Sequence, residues 1–262
     1  MNKINAVVTF ALGCLFVSSV AWANPDLLER SFDVEPGGTL YIDSDSGKIE
    51  IVSHLENSVE VEIVTGGRDA DEFEFSFEHE GSDVTIKGKK KSSWSSNWLN
   101  FGSTIKYLVK VPSSYNLELK TGGGSIEVSD LKGELKAKTS GGSISLGQID
   151  GNVDVATSGG SIRVEEVAGS IQARTSGGSI RVEVSTPFTQ DSKLTTSGGS
   201  ITAYLIESAA FDLDARTSGG RVKTDFDVKG RIKTTSIKGE VNGGGPLLKL
   251  ATSGGSVSIK EI

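Results

Sequence analysis

The sequence predicts an all-β fold, a right-handed parallel β-helix (β-solenoid) of about 18-residue coils with a more irregular, aromatic-rich N-terminal cap. Two observations carry this. The motif TGGGSI at Thr121 recurs as TSGGSI at Thr139, Thr157, Thr175 and Thr196, as TSGGRV at Thr217 and as TSGGSV at Thr252, with a blurred TSIKGEV at Thr235. The steps are 18, 18, 18, 21, 21, 18 and 17 residues. A fixed period of this size marks stacked supersecondary units, none of which buries its apolar face alone.

Each element of the coil follows from columns aligned on the threonine. Five residues after it stand Ile126, Ile144, Ile162, Ile180, Ile201, Val222 and Val257, and apolar or small residues recur two further on. Between those columns stand Glu127, Ser145, Arg163, Arg181, Thr202, Lys223 and Ser258. This is the alternation of a strand with one buried face. A second strand precedes the threonine, through Leu117, Leu135, Val153, Ile171 and Leu213, and its parity turns the threonines inward. Leu131, Ile149 and Val167 suggest a short third side, each followed by a corner glycine. Three before the threonine, Glu118, Lys136, Asp154, Gln172, Lys193 and Asp214 mostly alternate in sign, which suits a solvated ladder of cross-strand pairs.

The glycines read as corners where backbone stacks closely. No GK[ST] follows them and no lone G-x-G-x-x-G links a strand to a helix, so neither phosphate cradle nor dinucleotide fingerprint applies.

Residues 1–23 read as a signal peptide: Lys3, an apolar run from Ala6 to Val20, and Ala21-Trp22-Ala23 before Asn24. Cys14 is the only cysteine, and Ala11 stands where a lipoprotein signal would have leucine. Cleavage after Ala23 therefore leaves no thiol chemistry. Residues 24–119 form an N-terminal coil and capping β region, including the alternating Phe73, Phe75 and Phe77, and residues 120–262 the regular repeats. The formal net charge of −7 argues against a nucleic-acid partner. No later apolar run approaches the length of a membrane span, so a periplasmic or extracellular, cell-surface location is expected.

The best site hypothesis is the loop 89–103. There Lys89, Lys90 and Lys91 precede Trp94, Trp98 and Phe101, and rigid rings beside basic side chains suit a sugar or protein surface. The competing reading folds the rings over the core. No cofactor and no metal are expected, since His54 and His79 lie on different strands without the spacing of a zinc site. Catalytic residues are not expected either. Glu165 and Glu183, with Arg163 and Arg181, read as exterior ladders rather than an acid pair in a groove. The chain ends on its last coil, at Ile262, which makes that edge a candidate for homodimerisation.

The TSGGSI run, the strand Tyr107-Leu108-Val109-Lys110-Val111-Pro112 before it, and Gly47-Lys48-Ile49-Glu50-Ile51 together resemble the bacterial putative-adhesin family, a domain of unknown function. The resemblance covers nearly the whole chain after residue 23. It implies a secreted or envelope-associated β-solenoid acting as a non-catalytic interaction module, with an envelope polysaccharide or protein as partner. A carbohydrate-active β-helix enzyme and a purely structural or stress-related envelope component are the alternatives, because solenoids host unrelated functions.

Overall fold

A computed structural model describes residues 27–66, 73–91 and 104–262. The strands form two long sheets around one continuous apolar core. In each regular coil one strand precedes the threonine and joins the second sheet, and one follows it and joins the first. Val153–Thr157 and Ile162–Val167 are such a pair. Neighbouring coils pair in parallel and like on like: Val153 beside Ile171, Val155 beside Ala173, Ile162 beside Ile180. Each coil takes its name from the residue in the threonine column.

The threonines are buried as their parity predicts. Their hydroxyls make them polar members of an apolar column, and each hydroxyl donates to a carbonyl of the adjacent coil. Thr139 reaches the Gly124 oxygen at 2.8 Å, Thr157 the Gly142 oxygen at 2.7 Å, and Thr175 the Gly160 oxygen at 2.7 Å. A second ladder runs beside it, in which Ser161 N–H donates to the Ser143 hydroxyl and Ser179 N–H to the Ser161 hydroxyl, both at 3.1 Å. Together these satisfy polar groups that the tight corner removes from water. The second glycine of the motif is demanded by the same closeness. A Cβ on Gly142, Gly160 or Gly178 would fall on the glycine carbonyl of the coil beneath.

Four expectations are corrected. First, Leu131, Ile149 and Val167 are buried but build no third side. Ile149 and Val167 end the strands Ile144–Asp150 and Ile162–Val167, and Leu131–Lys132 pairs with Ile149 and Asp150 in the same sheet. The alternation slips at Gly147 and Gln148, so that Leu146 and Ile149 are both buried within that one strand.

Second, the sheets are mixed rather than wholly parallel. Leu27–Asp33, Ser58–Gly66 and Thr104–Pro112 pair antiparallel in succession, as do Phe73–Glu80 and Asp83–Lys90. At the far end Phe211–Thr217, Ser236–Val241 and Lys229–Lys233 do the same. Hairpin connections let the chain turn back and cover a coil end, which a parallel strand cannot do without a crossover.

Third, the coils do not stack in chain order. Val257–Glu261 lies between Ile201–Leu205 and Val222–Thr224, and Leu247–Thr252 lies between Ser192–Thr195 and Phe211–Thr217. The Thr252 coil is therefore interior and offers no free edge for a dimer; the Thr217 coil lies outside it. The order also breaks the alternation of charge, because Lys193 now faces Lys249 before Asp214 follows.

Fourth, the same exchange occurs near the N-terminus. Ser44 registers with Thr121 on one side and Gly88 on the other, so the coil Thr39–His54 is enclosed by a coil made of Asp83–Lys90 and Thr104–Pro112. Part of the expected cap is thus a coil in its own right. The stack reads Gly88, Ser44, Thr121, Thr139, Thr157, Thr175, Thr196, Thr252, Thr217.

Candidate functional site

The loop 89–103 acquires a position from this register. A regular coil passes from Thr121 to Ile126 through its glycine corner. In the same two columns the outer coil passes from Gly88 to Tyr107. Of the predicted loop 89–103, Lys89 and Lys90 end the strand Asp83–Lys90, and the chain between Gly88 and Tyr107 is longer than the glycine corner of a regular coil. Trp94, Trp98 and Phe101 lie outside the described residues.

The base of the loop is held by charge. Lys89 Nζ meets Asp43 at 2.9 Å and Asp45 at 3.1 Å, and the Lys90 backbone N–H donates to Asp45 at 3.0 Å. Lys120 approaches Asp43 at 3.6 Å. The Lys90 N–H and then Lys89 hold the Asp45 carboxyl below its ordinary pKa, and Asp43 raises that of Lys89. Lys89 is thereby an anchor of the loop, while Lys90 and Lys91 carry the chain into it. Asp43, Asp45, Lys89 and Lys120 line a groove of about 440 Å³ that continues past Lys138, Ser140 and Ser158, along the corners of the next coils.

In the same coil Tyr107 is fully buried. Ser44 Oγ lies 2.6 Å from the Ser46 carbonyl, which can only accept, so the Ser44 proton is taken there. The Tyr107 hydroxyl then donates to Ser44 Oγ at 2.7 Å. Burial pushes the Tyr107 phenol up to about 12. Gly88 is required at this point, since a Cβ there would land on the Tyr107 oxygen.

Sequence reasoning missed one cluster. His54, Glu56 and Glu60 bring ligand-type atoms within 4.8 Å of one another around the turn after Lys48–His54. The H-x-E-x-x-x-E spacing was its only sequence signal. His54 Nε2 donates to the Ser58 carbonyl at 2.8 Å, and Glu60 is paired with Lys110 at 2.9 Å, which lowers the Glu60 pKa. A cation would have to displace that ammonium, so the cluster functions as a polar clasp on the turn. His79 sits on another strand, against Phe32.

The column of Glu165 and Glu183, read as an exterior ladder, is interrupted by an irregularity. A bulge sets Glu165 and Glu166 together against Glu183, and Gln148 holds Glu166 at 2.7 Å. Arg181 turns instead to Tyr204, with a 2.6 Å hydrogen bond and its guanidinium 4.2 Å from the ring centre. Among the described residues no helix is long and apolar enough to cross a membrane.

These features define an all-β repeat protein built of two long, mixed sheets. Residues 38–152 and 116–260 match the family model described as Toastrack DUF4097, and the chain belongs to that family. No curated protein matches it. Among solved structures it is similar to a putative cell adhesion protein from Clostridium sporogenes, at 16% identity and a TM-score of 0.40, over 90% of this chain and 100% of that one. It is also similar to a putative adhesin from Bacteroides fragilis, at 14% identity and a TM-score of 0.34, over 90% and 97%. A putative lipid binding protein from Parabacteroides distasonis matches at 16% identity and a TM-score of 0.36, again over 90% and 97%.

Proposed function

We propose that this chain is an exported, non-catalytic interaction module of the bacterial cell envelope, released from a signal peptide at residues 1–23. Its coils wind as a right-handed parallel β-helix, the hand that parallel crossovers overwhelmingly adopt. The partner is an envelope polysaccharide or protein, engaged by Trp94, Trp98 and Phe101 together with Lys90 and Lys91. The observation that carries this is the placement of loop 89–103 in a corner that every regular coil closes with glycines, anchored through Lys89 to Asp43 and Asp45. An insertion that served only to cover the core would not need an ion-paired foot on the outer face. Tryptophan rings beside cations suit sugar faces and acidic groups alike.

The test is a titration of the full-length protein with cell-wall and polysaccharide fractions, followed by tryptophan fluorescence. A saturable change is expected with one fraction. It should vanish in the Trp94→Ala, Trp98→Ala double variant, whose melting temperature stays at the wild-type value. A large loss of stability in that variant, or binding that survives it, would refute the assignment.

A further inference from the structure

Among the described residues the second sheet ends in two edge strands of opposite charge, Phe73–Glu80, which there pairs only with Asp83–Lys90, and Lys229–Lys233, which there pairs only with Ser236–Val241. The first reads FEFSFEHE, with Glu74, Glu78 and Glu80 and neither lysine nor arginine. The second reads KGRIK, with Lys229, Arg231 and Lys233 and no acid.

The faces of the two edges also correspond. Ile232 lies opposite the buried Ile237, hence on the core side of the sheet, yet it is 63% exposed. Phe75 and Phe77 lie opposite Gly88 and Ile86, also on the core side, and are only partly buried. By alternation Lys229, Arg231 and Lys233 share the outer face of their strand, as Glu74, Ser76 and Glu78 share theirs. Glu78 meets Lys87 at 2.8 Å and is still 58% exposed.

We propose that copies of this chain associate end to end, the basic edge Lys229–Lys233 of one copy adding as a strand to the acidic edge Phe73–Glu80 of the next. Pairing satisfies the open N–H and C=O groups of both edges. It brings Ile232 against Phe75 and Phe77 on one face, and sets Lys229, Arg231 and Lys233 along the outer face that carries Glu74, Ser76 and Glu78. Charges on an edge strand ordinarily discourage pairing. Here they repel only like edges, basic with basic or acidic with acidic, and leave the head-to-tail contact as the attractive one. Such a contact joins two different surfaces at opposite ends of the stack, so it propagates as an open filament of copies.

Sedimentation equilibrium of the full chain over a range of concentrations tests this. At low ionic strength the weight-average mass of the wild type should climb above the monomer, and in molar salt it should fall back. The variant Lys229→Glu, Arg231→Glu, Lys233→Glu and the variant Glu74→Lys, Glu78→Lys should each stay monomeric. Their equimolar mixture should associate like the wild type, because each reversed edge then finds a complement. Thermal melts of both variants establish that they are folded, and the salt response of the wild type stands independently of them. A wild type that is monomeric at every concentration, association unaffected by salt, or a mixture that fails to recover it would overturn the proposal.

Discussion

The backbone N–H of Arg221 donates to the hydroxyl of Ser256 at 3.2 Å, although Ser256 comes 35 residues later in the chain. Elsewhere in that ladder the acceptor belongs to an earlier coil, as when Ser200 N–H meets Ser179 Oγ at 3.2 Å and Ser256 N–H meets Ser200 Oγ at 3.1 Å. The threonine ladder makes the same detour: Thr252 donates to the Gly199 carbonyl at 2.7 Å and Thr217 to the Gly255 carbonyl at 2.6 Å. Both ladders pass unbroken through the exchanged coils. The last coil of the chain is thus a middle coil of the stack, bonded on both sides.

Hydrogen exchange should register this inversion. Chain termini usually fray first, but the amides of Val257–Glu261 should exchange among the slower groups of the C-terminal third, while Lys229–Lys233 exchanges fast. The reverse order would contradict the stacking. Removal of residues 246–262 should accordingly expose Phe211–Thr217 and Val222–Thr224 as well, since both lose a neighbour on the core side.

One letter of the sequence already marked the outer coil. Six of the seven clear repeats carry serine after the glycine pair, and only the Thr217 repeat carries arginine there, at Arg221. In each of those six repeats the serine accepts an N–H from the next coil; beyond Arg221 no further repeat follows to donate one. The two strands, the buried threonines and the glycine corners were legible because each is a local column of one residue type. Stacking order was not, since near-identical coils present near-identical edges and any one can lie on any other. The anchor of the candidate site was hidden for a different reason: Lys89 and Asp43 are 46 residues apart, and they lie side by side because Asp83–Lys90, read in the sequence as part of a cap, is a coil strand parallel to Thr39–Ser44.

The glycine pair within one motif should respond asymmetrically to substitution. A Cβ on Gly142 would overlap the Gly124 carbonyl, whereas on Gly141 it would meet only the Gly123 Cα at 3.8 Å, an ordinary contact. Gly142→Ala should therefore destabilise the fold by about 1–3 kcal/mol, the usual range for forced overpacking. Gly141→Ala should fall within about 0.5 kcal/mol of wild type. Urea unfolding of the two variants distinguishes them, and equal losses would mean that conformational freedom rather than close approach selects both glycines.

Tyr107 should make the fold sensitive to alkali in a way that one substitution can isolate. Its phenol is buried, donates to Ser44 and has its pKa pushed up to about 12 by loss of water. An unfolded tyrosine titrates near pH ~10. The raised value means that the folded state holds its proton more tightly, so the contribution is fully present below pH ~10. It is then lost as pH rises from there through about 12. At about 1.4 kcal/mol per unit the loss approaches ~3 kcal/mol once both states are ionised. Tyr107→Phe forfeits the hydrogen bond to Ser44, a cost of about 1 kcal/mol, but carries no ionisable group. Lys48 and Lys89, whose pKa values are raised by their carboxylate partners, lose charge at high pH in both proteins and cancel in the comparison. Urea midpoints measured near neutrality should therefore favour the wild type, and the gap should close and then reverse as the pH rises from ~10 towards the phenol's raised value of about 12. Curves that stay parallel across that range would show that burial does not raise the Tyr107 phenol above the unfolded chain's value.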